Sequence, residues 1–286
     1  MNKNIYLYFK KMSLSLRVRK ELEPYFWNLK DEDIEILIRE LGEKYIDDAI
    51  DFVKNLKISK ETITKYAQAE QKSPEWFQYR DGRLTGSNFG AANKTNKRNT
   101  HNGLLKTLLW PSTFKGNMAT RHGTVHEPIA CDRYEEFQKN MLIENGCDPS
   151  DFWIEHTGFV VCEKYPWLGA SPDMIVHYEK KTWVGEIKCP FPGRNGSSGK
   201  LYGDIPHYYY DQIQGLMAIL ELPVCDFVVW TEKEMSVERF VFDRPYFEER
   251  LFPNLQTFYV TKYLPRIIWK NNAMICHGDI DPILVI

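Results

Sequence analysis

Apolar residues recur at helical spacing through the first quarter of the chain. From Asp31, an expected N-cap, they follow one another three or four residues apart as far as Ile50. Ser59 is the expected cap of a shorter helix. No group of chemically reactive side chains accompanies this pattern. Residues 1–72 are therefore predicted to be an N-terminal helical accessory region.

The pattern changes at Ser73, where a capping residue, a proline and an acidic residue together are typical of a helix start. Further helices are predicted over 119–137, 208–220 and 246–263. Short runs rich in β-branched and aromatic residues lie between them and predict strands at 158–163, 169–178, 182–188, 225–231 and 237–243. Strands bracketed by helices indicate a mixed α/β core, and residues 73–286 are predicted to form that domain.

Charged residues interrupt two of the expected strands. Asp173 lies on the first, while Glu186 and Lys188 alternate along the second and so share one of its faces. A hairpin turn between these strands would bring the three side chains together. Two carboxylates in contact raise each other's pKa or bind a cation, and a hard divalent ion suits oxygen ligands. The alternative is a surface ion pair, but the apolar neighbours Val184 and Ile187 favour a site.

Four short motifs follow one another along the central part of the chain. They are WFQYR at 76–80 with LTGS at 84–87, GTVHEP at 123–128, SPD at 171–173 with EIKCP at 186–190, and DQIQ at 211–214. In this order they resemble the lambda exonuclease-like and YqaJ-like viral recombinase family of the PD-(D/E)XK nuclease superfamily. Each motif alone is unspecific, whereas the ordered set spans more than half of the chain.

The resemblance implies a restriction-endonuclease-like core, in which helices flank a central mixed sheet. It also implies a metal centre of Mg²⁺, with Mn²⁺ as an expected substitute and two ions bound. The implied metal ligands are Asp173, Glu186, the backbone carbonyl of Ile187, and Glu127.

The resemblance assigns the remaining site residues as well. Lys188 would be the catalytic lysine, and Gln212 would orient groups near the scissile phosphate. Arg80 and Ser87 would bind the 5′-phosphate of a DNA end. From the residues alone, Arg80 is a plausible phosphate fork, but an ordinary surface arginine and a helix-capping serine are the alternative.

The activity implied is metal-dependent hydrolysis of linear double-stranded DNA from the 5′ end, which leaves 3′ single-stranded tails for recombination or repair. Double-stranded DNA ends, a single-strand annealing protein and further copies of the chain in a ring-shaped trimer are the implied partners. Two alternatives stay open at this point. One is a structure- or sequence-specific endonuclease on the same core, and the other is a catalytically inactive DNA-binding accessory protein of recombination.

The charge balance at first argues against nucleic acid, because 37 Lys and Arg face 39 Asp and Glu in 286 residues. The charges are unevenly spread, however. Residues 82–126, 187–203 and 250–278 contain no acidic residue and hold fourteen Lys and Arg. Two of these stretches adjoin Glu127 and Glu186, so we expect a basic groove around an acidic metal centre.

The six cysteines form no CxxC pair, and no secretory leader precedes them. No apolar run approaches the roughly 20 residues that span a bilayer. These features predict reduced thiols in an intracellular protein without a membrane segment. Cytoplasm and nucleus both remain open.

Overall fold

A five-stranded mixed sheet forms the centre of the structure, a computed structural model that describes residues 3–110, 116–191 and 204–277. Its strands lie in the order β2-β5-β6-β7-β8, with β6 and β7 parallel and the other neighbours antiparallel. A smaller sheet has the order β1-β4-β3. The strands are β1 (Leu84–Thr85), β2 (Trp153–Glu155), β3 (Val160–Val161), β4 (Leu168–Ala170), β5 (Met174–Tyr178), β6 (Lys181–Lys188), β7 (Val224–Trp230) and β8 (Met235–Val241).

Helices cover both faces of the large sheet. The described helices are α1 (Lys3–Leu22), α2 (Asp31–Leu41), α3 (Ile46–Asn55), α4 (Lys60–Ala67), α5 (Pro74–Arg80), α6 (Phe89–Ala92), α7 (His101–Leu109), α8 (Met118–Glu144), α9 (His207–Leu220), α10 (Arg244–Tyr246), α11 (Phe252–Phe258) and α12 (Leu264–His277). Two π-helical segments, Phe247–Leu251 and Tyr259–Tyr263, join the last three helices. The predicted mixed α/β core with a helix-flanked sheet is confirmed.

Two apolar layers hold these helices to the sheet. Side chains of α9 pack on the face that carries Val184, Phe227 and Val229. Side chains of α8, including Tyr134, pack on the opposite face against Ile187 and its neighbours. The alternation of side chains along β6 therefore places Glu186 and Lys188 on the α9 side.

The N-terminal helices share the first of these layers. Buried residues of α1, α2 and α3 belong to the same core as α9 and α12. Phe26 stacks on Trp167 with ring centroids 5.3 Å apart, and the Trp167 indole N–H donates to the Tyr25 carbonyl at 2.8 Å. The division at residue 72 stays a prediction, but side chains from both sides of it pack together.

Several predicted elements differ from the observed ones. The strand predicted over 169–178 is two strands in different sheets, because Pro172 and its neighbours break the ladder between β4 and β5. Asp31 is the first residue of α2 rather than its N-cap, and the helical pattern stops at Gly42, where φ is 68°. The last helix continues past Tyr263 to His277. Strand β2 was not predicted.

The two serine caps predicted at Ser59 and Ser73 are present. Ser59 Oγ accepts the Thr62 N–H at 3.2 Å, and Ser73 Oγ accepts the Trp76 N–H at 3.1 Å. Within the described part of the chain, no helix combines the length and apolarity needed to cross a membrane. Cys131, Cys147, Cys162, Cys189 and Cys225 are all free thiols.

Candidate active site

The β5–β6 hairpin brings Asp173 beside the charged end of β6. A two-residue turn joins the strands, and Met174 pairs with Gly185 at the far end of the ladder. Strand β6 runs on past that pair, so β5 offers the Ile187 N–H no backbone partner. Asp173 Oδ2 accepts this N–H at 2.6 Å and so completes the ladder. The hairpin thus fixes one carboxylate at the edge of the sheet.

Glu186 is almost fully buried, with 2% of its surface exposed. Its Oε1 accepts hydrogen bonds from Lys188 Nζ and, at 2.6 Å, from Gln212 Nε2 on α9. Its Oε2 is buried and has no hydrogen-bond partner among the described residues. A buried carboxylate oxygen left in this state is costly, and it is an open position for a positively charged ligand.

The electrostatics of this cluster follow from burial and close carboxylates. Burial, reinforced by the charge of Asp173, raises the pKa of Glu186 to about 8. Burial also raises the pKa of Asp173. Burial lowers the pKa of Lys188, but the charges of Glu186 and Asp173 outweigh it and leave the pKa above its usual value. Lys188 is therefore an ammonium ion at neutral pH.

Glu127 adds a third carboxyl from α8. It lines the same cavity as Asp173 and Glu186, and burial followed by the charge of Asp173 raises its pKa. Helix α8 is anchored to the sheet at Tyr134, whose hydroxyl donates to Asp226 Oδ2 on β7 at 2.6 Å. This anchor sits two helical turns after Glu127 and holds that part of α8 against the sheet.

Arg80, on α5, lines the same cavity as the carboxylates. Its guanidinium carbon lies 3.9 Å from the Trp76 ring centroid, and its nitrogens donate to Thr85 Oγ1 at 3.1 Å and to Ser171 Oγ at 3.4 Å. The parallel pairing of β1 with β4 brings these two hydroxyl-bearing segments together. Burial lowers the pKa of Arg80 to about 10. No acidic side chain among the described residues forms an ion pair with it, so its charge is available to an anion.

Of the predicted site residues, all but Ile187 line one cavity of about 400 Å³, and Ile187 lines a neighbouring cavity. The Ile187 side chain is buried in the α8 layer, on the opposite face from Glu186. Ser87 is exposed at the cavity rim. The cavity is lined by Gln71, Lys72, Trp76, Arg80, Ser87, Gly90, Asn96, Glu127, Ser171, Asp173, Glu186, Lys188, Tyr208, Tyr209 and Gln212.

The carboxylates suit a hard divalent ion in their chemistry. They are oxygen donors that face one cavity. Burial raises their pKa values, and one oxygen of Glu186 has no hydrogen-bond partner among the described residues. They do not form a closed ligand set as they stand, since no three His, Cys, Asp or Glu side chains in the described ranges are grouped to hold a metal. Glu186 Oε1 already accepts hydrogen bonds from Lys188 and Gln212, so only its Oε2 is open to a metal.

A family model of the YqaJ-like viral recombinase domain matches residues 75–233. The chain belongs to this family. The matched residues include all the predicted site residues, from Arg80 to Gln212, and the predicted family resemblance is confirmed.

Two further comparisons found a similar sequence and a similar fold. An uncharacterized protein of Acanthamoeba polyphaga mimivirus, R354, is 31% identical over 179 residues, which are 59% of this chain and 30% of that protein. The match therefore spans less than a third of the viral relative. The crystal structure of an alkaline exonuclease from Laribacter hongkongensis superposes with a TM-score of 0.50 and 23% identity, over 71% of this chain and 98% of that one. At this identity the likeness shows a shared fold.

Some residues that line the candidate site were not predicted as site residues. Ser171 was noted only as part of the SPD motif, yet its hydroxyl joins Trp76 Nε1, at 2.9 Å, to Arg80. Tyr208 and Tyr209 line the cavity, and Tyr209 lies 5.0 Å from Lys188 Nζ. Gln214, the second glutamine of the DQIQ motif, instead bonds to the backbone of Val241 and Asp243.

The predicted basic groove needs one correction. Arg83 belongs to an acid-free stretch, but it is buried and donates to the carbonyls of Leu56, Tyr79 and Pro166. Arg83 therefore stabilises the fold and is not available to bind a phosphate. Lys94, Lys97 and Arg98 are exposed on the loop after α6. Lys115, Arg194 and Lys200 belong to the acid-free stretches as well, but they lie outside the described residues.

Proposed function

We propose that this YqaJ-like protein is a metal-dependent exonuclease that hydrolyses linear double-stranded DNA from the 5′ end and leaves 3′ single-stranded tails. One observation carries the proposal. The buried Glu186, with neighbouring carboxylates and an ammonium ion, shares a cavity with a half-buried arginine that no described acid neutralises. The first group suits phosphodiester hydrolysis, and the second suits a terminal phosphate.

The proposed metal ligands are Asp173, Glu186, Glu127 and the Ile187 carbonyl, with Mg²⁺ as the metal, Mn²⁺ as a substitute and two ions bound. When bound there, a divalent ion would supply Lewis-acid stabilisation of the negative charge that develops on the phosphate. The unpartnered Glu186 Oε2 is the observation in this structure that supports a cation at this position.

The chain's own residues would do the rest. Gln212 Nε2 fixes the carboxylate of Glu186, and the Ile187 N–H fixes that of Asp173. Lys188, protonated and held at Glu186, would place its positive charge beside the phosphate under attack. Such prearranged charge needs no reorganisation during the reaction, which is the usual source of its catalytic effect.

Arg80 and Ser87 would bind the 5′-phosphate of the DNA end. The Trp76 ring and the hydroxyls of Thr85 and Ser171 hold the guanidinium in one orientation. A planar, prearranged fork recognises phosphate better than a mobile lysine does. Dependence on an end distinguishes an exonuclease from an internal nuclease, so this arrangement favours the exonuclease over the endonuclease alternative.

The biological setting is proposed on the family alone. Membership of a viral recombinase family suits a role in DNA recombination or repair, with an annealing protein as partner for the 3′ tails. A ring-shaped trimer around the duplex would keep the enzyme on its substrate.

The proposal is tested with one duplex in linear and in closed circular form. Each is incubated with Mg²⁺, Mn²⁺ or EDTA, and the linear form carries either a 5′-phosphate or a 5′-hydroxyl. We expect digestion of linear DNA only, with either metal and not with EDTA, and faster from phosphorylated ends. Cleavage of the circle would support the endonuclease alternative, and binding without any cleavage would support the inactive accessory protein.

A further inference from the structure

A second cavity adjoins the candidate active site. It has a volume of about 700 Å³ and lies between the α4–α5 connection, helix α8 and the β2–β3 connection. Four residues line both cavities: Gln71, Lys72, Glu127 and Asp173. The proposed cleavage position therefore lies where two cavities meet, with Arg80 and Ser87 on one side only.

A DNA strand cut at this position extends in both directions from the scissile bond. Its 5′-terminal nucleotide would occupy the smaller cavity, where Arg80 lies. The nucleotide after the cleaved bond would then lie toward the larger cavity, whose lining among the described residues includes the acidic Glu70, Asp132 and Glu155 and, as its one lysine, Lys72. The next backbone phosphate, on the 3′ side of the scissile one, would pass the junction of the two cavities, and the junction should supply a cation for it.

Lys72 is the cationic residue at that junction. Its backbone is left-handed, with a φ of 71°, which is uncommon for a residue with a side chain and is found disproportionately at functional sites. The neighbouring residues enforce this conformation. Gln71 Nε2 donates to the carbonyls of Thr157 at 2.9 Å and Pro172 at 3.1 Å, and Ser73 caps α5 immediately afterwards.

The ammonium of Lys72 is free to bind an anion. Lys72 is exposed and forms no ion pair with any acidic residue that the structure describes. The other two cations of the smaller cavity are engaged, since Lys188 bonds to Glu186 and Arg80 to two hydroxyls. Burial raises the pKa of Glu127 and of Asp173, and the charge of Lys72 opposes this effect in both. The alternative role of Lys72 is therefore to offset these carboxylates.

We infer that Lys72 binds the first backbone phosphate on the 3′ side of the scissile phosphate, and that Gln71 positions Lys72 for this contact. The inference rests on the proposed nuclease function. Both residues precede the part of the chain that the family model matches, which begins at residue 75. The end of the N-terminal region would thus contribute directly to substrate binding.

The salt dependence of DNA binding separates the two roles of Lys72. Lys72→Gly removes the ammonium and suits the left-handed backbone, and Lys72→Asn is a second variant that tolerates it. Binding of a 5′-phosphorylated duplex with a short unpaired 5′ end is measured in EDTA, where no metal-dependent cleavage occurs, between 50 and 200 mM salt. Lys65→Gln, an exposed residue of α4, is the matched control.

The logarithm of the binding constant falls as the logarithm of the salt concentration rises, and loss of one phosphate contact makes this slope shallower by about 0.7 to 0.9. We expect this change in Lys72→Gly and Lys72→Asn. The ratio of the wild-type binding constant to that of either variant should therefore fall roughly threefold from 50 to 200 mM salt. Lys72→Arg should keep the wild-type slope, and Lys65→Gln should keep it too. Thermal unfolding verifies that each variant is folded.

A wild-type slope in both Lys72→Gly and Lys72→Asn would overturn the inference. A weaker affinity for Mn²⁺ or a shifted pH profile with that unchanged slope would assign Lys72 to the carboxylates instead. If the wild type digests linear DNA in either case, the proposed function stands while the inference fails. If the wild type binds no DNA at all, both fail.

Discussion

Replacement of Glu186 by Gln removes a carboxyl group whose ionisation the cavity opposes. In the metal-free protein, burial and the charge of Asp173 raise the pKa of Glu186 from 4.5 to about 8. A carboxyl whose pKa is higher in the folded than in the unfolded chain stabilises the fold below the unfolded value, and this contribution is lost as the pH rises through the folded value. At 1.36 kcal/mol per pH unit, the interval from 4.5 to about 8 corresponds to a loss of at most about 5 kcal/mol.

Glutamine keeps the oxygen that accepts from Lys188 and Gln212 but does not titrate. The free energy of unfolding of Glu186→Gln minus that of the wild type should therefore increase from about pH 4.5 to about pH 8 and then level off. Urea unfolding in EDTA at intervals from pH 5 to pH 9 measures this difference. Glu179→Gln, on the exposed hairpin turn, is the control for loss of one negative charge. A difference that stays constant with pH, or that shrinks as pH rises, would refute the reasoning.

Three further predictions address the metal, the end phosphate and the support of α9. Because burial raises the pKa of Glu127, Asp173 and Glu186, protons compete with the metal for these carboxylates. The affinity for Mn²⁺, measured by calorimetry, should therefore be higher at pH 8.5 than at pH 6.5, and equal affinities would contradict this. Arg80→Lys removes the planar guanidinium that stacks on Trp76. The ratio of kcat/KM for 5′-phosphorylated ends to that for 5′-hydroxyl ends should fall roughly tenfold. An unchanged ratio in an active variant would exclude Arg80 as the phosphate ligand. The fully buried carboxylate of Asp211 accepts hydrogen bonds from Asn93, Thr95 and Tyr246, and Asp211→Asn turns an amide group toward these donors. The free energy of unfolding, measured with urea, should fall by about 2–4 kcal/mol, and a fall below about 1 kcal/mol would contradict this prediction.

Local geometry made the centre of the site predictable. Asp173, Glu186 and Lys188 lie within one hairpin, so the period of two along a strand and one turn bring them together without knowledge of the rest of the fold. The motifs added Arg80, Glu127 and Gln212, which come from three different helices. Nothing in their own spacing indicates that they meet, and only the order of the motifs predicted it.

Tertiary packing decided what could not be predicted. Whether the run 169–178 is one strand or two depends on which sheet each half joins. The break at Pro172 places Asp173 outside both strands, where its carboxylate accepts the Ile187 N–H. The spacing of charges placed Arg83 in a basic stretch, but the carbonyls that bury it come from Leu56, Tyr79 and Pro166. Lys72 carries no motif at all, and its place at the site depends on the bonds of Gln71 to Thr157 and Pro172.

The most direct test of the catalytic cluster is the rate at which Lys188→Ala and Glu186→Ala digest linear 5′-phosphorylated duplex in Mg²⁺. Lys181→Ala, at the exposed start of the same strand, is the matched control, and thermal unfolding checks that all three variants are folded. We expect both cluster variants to lose at least about a hundredfold in rate, while the control keeps the wild-type rate. Wild-type rates from folded Lys188→Ala and Glu186→Ala would contradict the assignment of this cavity as the catalytic site.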